Sequence, residues 1–186
     1  SHDTFGLGHL RRCRTIAHSL VEDFKGLHVL IISGSPIAGA FDFKVLVDFV
    51  KIPSVIKLHN GEYTSIDRHI ELDETLRMRT AMLRDTAKSF DPDIFIVDKE
   101  PLGLRGELED TLNYLKATGC TLVLGLREVM DSPELLAQEW QRKDMLRRIE
   151  ATSDLVWGYG PEGIWAPLTG MDVPSSVKRR MTYTGY

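Results

Sequence analysis

Short runs of uninterrupted apolar residues recur along this chain: HVLIIS at 28–33, IFIV at 94–97, TLVL at 121–124 and LVW at 155–157. Neighbouring side chains on a strand point to opposite faces, so a run without polar alternation needs cover on both. Between these runs lie longer stretches with apolar residues three and four apart, the period of a helix with one buried face. Helices alternating with doubly buried strands build a parallel sheet with helices on each side. The expectation is an α/β fold, a Rossmann-like doubly wound parallel sheet of about six or seven strands.

The helical stretches carry their own punctuation. From Leu10 the apolar positions are Leu10, Cys13, Ala17, Leu20 and Phe24, and Lys25-Gly26 stops the pattern. Residues 71–90 form the longest helical pattern, with Leu72, Leu76, Leu83, Ala87 and Phe90 inward. Arg77, Arg79 and Arg84 are expected on its solvated face, and Asp91-Pro92 ends it. A helix at 107–116 stops at Gly119, and another opens at Ser132-Pro133 and runs to about Ile149. Residues 36–43 suggest a short helix, 49–52 a strand, 57–68 a polar loop turning at Asn60-Gly61, and 181–184 a last strand.

Totals exclude several classes. Of the 186 residues, 42% are hydrophobic and 27% charged, which suffices for a folded core. A net charge of −4 argues against a nucleic-acid surface. No apolar run approaches the roughly 18 residues of a membrane span, and no signal peptide is visible. The two cysteines, Cys13 and Cys120, read as buried thiols in a reducing cytoplasm, without metal-ligand spacing.

The N-terminal stretch SHDTFGLGHLRRCR places Gly6 and Gly8 directly before His9 and the first helix. Such a glycine turn at a helix N-terminus favours anions, and histidine is the side chain that can act as a base near neutral pH. A strand normally precedes a turn of this kind, so the chain is expected to be a fragment of a longer protein. Ligands of open parallel sheets bind beyond the carboxyl ends of the strands. In the common order 3-2-1-4-5-6, with the first strand lying before Ser1, three polar groups meet there: His9; Asp98, Lys99 and Glu100; Arg127 and Glu128. General base catalysis fits them. Asp98 would fix the tautomer of His9, and Arg127 would grip an anion. Each also has a plainer reading. His9 can cap or pack, Asp98 can cap a loop, Arg127 with Glu128 can be a surface ion pair, and Arg11 with Arg12 can be a solvated face. The dinucleotide fingerprint fails, because Arg11 stands at its third glycine and no acidic residue ends the second strand. Asp91-Pro92-Asp93 has the form of a metal-binding pair but precedes its strand, so no metal is expected.

DTFGLGHLRRCRTIAHSL resembles the glycine-turn motif G-x-G-H-x-x-R of bacterial sugar transferases with the GT-B fold, among them the N-acetylglucosaminyltransferase of peptidoglycan synthesis. FDPDIFIVDKEPLGLRGEL, LVLGLREVMDSPE and the closing YTGY resemble a group of predicted glycosyltransferases of that fold, so the resemblance spans almost the whole chain. It implies a metal-independent cytoplasmic enzyme without a cofactor, built of two Rossmann-like domains facing a cleft. Residues 1–182 would be the acceptor-side domain, and 183–186 the start of a linker to a C-terminal donor-binding domain. The partners implied are a nucleotide-sugar donor and a sugar or other hydroxyl acceptor, with room for peripheral membrane association of the full-length enzyme. His9 would be the base, with Asp98 its catalytic partner. Gly6 and Gly8 would admit the donor diphosphate, and Arg12, Lys99, Glu100, Arg127 and Glu128 are the further candidate binding residues. The same short motif, with Arg12-Cys13, is also similar to the nucleotide-sugar hydrolase of pseudaminic acid synthesis, which shares the fold and uses water. A non-catalytic sugar- or nucleotide-binding module of this fold is the third alternative.

Overall fold

A computed structural model describes residues 7–58, 63–66, 69–127, 140–141, 144–163, 168 and 171–185. The chain divides into two compact units, Ser1–Thr86 and Ala87–Tyr186.

In the first unit, helix α1 spans Leu7–Asp23, starting three residues earlier than the apolar spacing indicates. Gly8 and His9 therefore lie inside its first turn, not in a turn before it. Leu10 and Ala17 are buried, and Cys13 and Val21 pack beside them. Phe24 falls outside this stripe and is 59% exposed, because the helix ends at Asp23 and Gly26 turns the chain at φ +79°. Strands β1 (Val29–Ser33) and β2 (Val47–Lys51) pair in parallel, from Val29 opposite Val47 to Ser33 opposite Lys51. The segment between them holds only a three-residue 3-10 turn, Ala38–Ala40, where a short helix was expected. The expected polar loop at 57–68 contains a hairpin instead: β3 (Val55–Lys57) pairs antiparallel with β4 (Tyr63–Ser65). Strands of three residues are too short to show a period, which is why the sequence conceals them. The Asn60-Gly61 turn lies outside the described residues.

Helix α2 (Leu72–Phe90) buries Thr75, Arg79, Leu83 and Ala87, a ridge with a residue every four positions. Leu72 and Leu76 are half-buried, and Phe90 is 41% exposed at the last position. Arg79 overturns the solvated reading, since only 1% of it is exposed. Its Nη1 donates to the Pro53 carbonyl at 2.6 Å, and a Cβ on Gly34 would lie 2.7 Å from that nitrogen. Buried guanidinium groups are retained where they are hydrogen-bonded, and here the chain leaving β2 supplies an acceptor. One turn earlier, Thr75 Oγ1 donates to Ser65 Oγ at 3.1 Å.

The second unit is a four-stranded parallel sheet flanked by helices. Its strands β5 (Ile94–Asp98), β6 (Thr121–Arg127), β7 (Leu155–Tyr159) and β8 (Met181–Tyr183) lie side by side in chain order. Leu122, Val123, Leu124, Gly125 and Leu126 of β6 are all buried, as a strand covered on both faces requires. Ile94 and Leu155, the first residues of β5 and β7, are exposed, so burial lapses at the strands' amino ends. Helix α3 (Glu109–Thr118) turns Leu112 and Leu115 inward, and Gly119 ends it at φ +87° with its N–H on the Leu115 and Lys116 carbonyls. That left-handed cap is the conformation glycine adopts most freely. Helices α4 (Met145–Thr152) and α5 (Ser175–Lys178) follow, and Trp140 and Gln141 are also helical. A single helix through Ile149 does not form, because Asp144 stands at φ +50°, ψ +41° and breaks it. Ser132-Pro133 lies outside the described residues. Tyr183 ends β8, and Gly185 bridges back to Gly160.

The adjacency of the second and third strands of the expected order, and of the fourth, fifth and sixth, is therefore present. Asp91-Pro92-Asp93 sits at the amino end of the sheet, as expected. Asp91 closes the last turn of α2 at φ +49°, and the Asp93 carbonyl accepts from Thr121 N–H. Among the described residues no helix is long and apolar enough to cross a membrane, and no group of three or more His, Cys, Asp or Glu could hold a metal ion.

Candidate functional site

Because all four strands of the second unit run the same way, their carboxyl ends form one edge. That edge carries Asp98, Arg127, Tyr159 and Tyr183. In register, Asp98 stands opposite Gly125, Gly125 opposite Trp157, and Trp157 opposite Thr182. These four occupy one row on one face. Tyr159, two residues beyond Trp157, shares that face and lies over Gly125. A Cβ there would fall 2.8 Å from Tyr159 Cε2 and closer still to Cζ and Oη. Gly125 is thus the vacancy in the strand that admits the phenol, which is 8% exposed. The apolar run at 155–157 stops short of Tyr159, so sequence reasoning missed it. The available signal was Gly125 itself, a lone glycine inside a strand of large apolar residues.

Asp98 is 5% exposed and ends β5. The chain then turns sharply. Lys99 stands at φ +73°, its N–H donates to the Gly125 carbonyl at 2.8 Å, and Glu100 N–H reaches back to the Asp98 carbonyl at 3.1 Å. A positive φ with an i to i+2 hydrogen bond is the pattern of a strained γ-turn. Three more residues of the same loop have positive φ: Gly103 at 67°, Arg105 at 49° and Gly106 at 86°. The loop is not loose. Pro101, Leu102, Leu104, Glu107 and Leu108 are buried, and Glu107 Oε1 accepts from Leu104 N–H at 3.3 Å. Strain of this kind persists where surrounding packing over-determines it, and such places cluster at ligand clamps and active sites. The Asp98–Glu100 cluster is thus a preformed corner. Arg127 is the last residue of β6 and exposed, at the same edge of the sheet. Its strand runs three residues beyond the expected 121–124.

In the first unit, His9 and Arg12 sit one turn apart on α1, both half-buried. Arg12 Nη2 lies 3.0 Å from His9 Nδ1. Arg12 is thereby drawn in from the solvated face on which Arg11 remains. Gly8 is exposed, and a Cβ there would meet nothing within 4 Å. Gly6 and Glu128 lie outside the described residues. The structure thus places Asp98, Lys99, Glu100 and Arg127 along one edge of the second unit, and His9 with Arg12 in the first.

A cavity of about 770 Å³ opens against β8, lined among others by Glu162, Lys178, Thr182 and Tyr183. Burial, then the Glu162 carboxylate, pushes the Tyr183 hydroxyl above its ordinary range. This cavity lies at the opposite edge of the sheet from β5, and none of Asp98, Lys99, Glu100 or Arg127 lines it. The strained corner with Asp98, Lys99 and Glu100, together with Arg127 at the same edge, is the candidate site. No protein-family model and no curated protein matches the chain.

Proposed function

We propose that the chain is the acceptor-side, Rossmann-like domain of a GT-B glycosyltransferase. It would move a sugar from a nucleotide-sugar donor to an acceptor hydroxyl without a metal. The observation that carries the reading is the parallel order β5-β6-β7-β8, whose carboxyl edge holds an acid, a strained corner and an arginine. That edge is where sheets of this class bind ligands, and the resemblance of the glycine–histidine motif supplies the reaction class. In this reading His9 takes the proton of the acceptor hydroxyl, and Asp98 is the second catalytic residue. Gly6, Gly8 and Arg12 line the donor phosphates. Lys99, Glu100, Arg127 and Glu128 position the acceptor and neutralise charge.

The test is His9→Ala in the protein that joins this domain to its donor-binding domain, assayed against a panel of nucleotide sugars. Transfer should fall by about 10²–10⁴-fold, the usual contribution of a positioned base. Unchanged transfer would overturn the assignment. The products separate the alternatives. Sugar joined to an acceptor marks a transferase, and free sugar with nucleotide marks a hydrolase. Nucleotide-sugar binding without release of nucleotide marks a binding module.

A further inference from the structure

The contact between Arg12 and His9 has a consequence for proton transfer. Arginine has only N–H donors and keeps its charge throughout the working range of proteins. An imidazole nitrogen 3.0 Å from Arg12 Nη2 can therefore only accept. Nδ1 is the acceptor, so the ring proton sits on Nε2. We infer that Arg12 is a positioning residue that holds His9 in its Nε2–H form, leaving the ring a hydrogen-bond donor at Nε2.

This assigns to Arg12 the orienting role that sequence reasoning gave to Asp98. A carboxylate fixes a histidine base by accepting its Nδ1–H, and it cannot do so while a guanidinium donates to that atom. In this tautomer the ring proton is on Nε2, and an N–H there is a donor of the kind that phosphate oxygens and sugar hydroxyl lone pairs accept. To accept a proton at Nε2 the ring must first carry its own proton on Nδ1, and Arg12 must let go. An anion competing for the guanidinium is the agent that can release it. One binding event would then turn His9 from donor to base, the ring proton passing from Nε2 to solvent and a solvent proton arriving at Nδ1. The tautomer stands on the contact alone, whereas the switch to a base rests on the transferase reading above.

The test is long-range 1H–15N correlation NMR of the histidine rings in the 186-residue chain, held above the titration of the rings. His9 is assigned by the peaks lost in His9→Gln. The wild-type ring should give a protonated Nε2 and an unprotonated Nδ1. Arg12→Met removes the donor and should move both nitrogens toward the averaged values of a ring in free tautomer exchange. Arg12→Lys, which restores a donor-only cation, should return them. Amide spectra of each variant report whether the fold is kept. Adding inorganic pyrophosphate should shift the wild-type pattern in the direction of Arg12→Met. A protonated Nδ1 in the wild type, or a pattern indifferent to Arg12→Met in a folded protein, overturns the inference. Neither outcome depends on sugar transfer, so the inference and the functional reading fail separately. No shift with pyrophosphate would overturn the switch and leave the tautomer standing.

Discussion

At the scale of single residues, space and charge decide more than residue type. Gly125 is the sharpest case. Nothing in its backbone asks for glycine, since it lies in an extended strand of ordinary register. What asks for it is the Tyr159 ring, which occupies the volume a side chain would need. Gly125→Ala should therefore lower stability by about 1–3 kcal/mol, the usual cost of overpacking a filled core, read from urea unfolding. In a Tyr159→Ala background the same substitution should cost little. Equal costs in the two backgrounds would show that the ring is not the reason. Arg79 makes the complementary point. Its charge predicts solvent, and the position it holds four residues before Leu83 predicts the core. The position wins because the Pro53 carbonyl gives the guanidinium an acceptor. That acceptor comes from a distant segment, so no local pattern announces it.

At the scale of elements, α1 is held at both levels of its chemistry. Leu10 and Ala17 anchor it to β1 and β2 through the apolar core. Polar contacts then fix it to the chain entering β2. Arg14 Nε donates to the Asp42 carbonyl at 2.6 Å, Lys44 N–H donates to His18 Nε2 at 3.2 Å, and the Phe43 ring meets the imidazole edge-on at 6.4 Å. His18 is not among the apolar positions of this helix, and the sequence gives no hint of this anchorage, because residues 41–44 are neither helix nor strand. The contact leaves a pH signature. Burial, then the positive charges of Arg14 and Lys44, lowers the His18 pKa below its ordinary 6.5. The unfolded chain therefore takes up this proton first as pH falls. The stabilisation from a neutral His18 is complete above about 6.5 and is lost as pH falls through the lowered folded value. His18→Gln keeps an acceptor for Lys44 N–H and does not titrate. The fall in urea midpoint between pH 7.5 and pH 5.5 should be smaller in that variant than in the wild type. An equal fall would remove His18 from the account.

At the scale of the molecule, the legible part of the fold is the part that repeats. Continuous apolar runs flanked by helical spacing identified β1, β5, β6 and β7, and the pairings of β1 with β2 and of β5, β6 and β7 match the common doubly wound order. The hairpin of β3 and β4 escaped because three residues carry no period. The Asp98–Glu100 corner was half legible: its polar residues stood out, but its backbone strain has no sequence signal in Lys99 or Arg105, which are not residues that favour positive φ. Tyr159 was concealed by the glycines on either side of it. The same repetition sets where the second unit is most stable. Strand β6 has hydrogen-bonded neighbours on both sides, and its residues from Leu122 to Leu126 are buried. Strand β2 has Asp48, Phe49 and Lys51 exposed, and β8 is three residues long. Opening a strand locally costs least where few apolar contacts and solvent-facing hydrogen bonds are lost. In amide hydrogen exchange followed by mass spectrometry, peptides covering residues 121–127 should therefore retain protons longest, and those covering 47–51 and 181–183 should exchange earlier. The decisive comparison is β6 against β2, two strands of the same type in different units. If peptides from 47–51 hold their protons as long as those from 121–127, double-sided burial is not what orders stability in this chain.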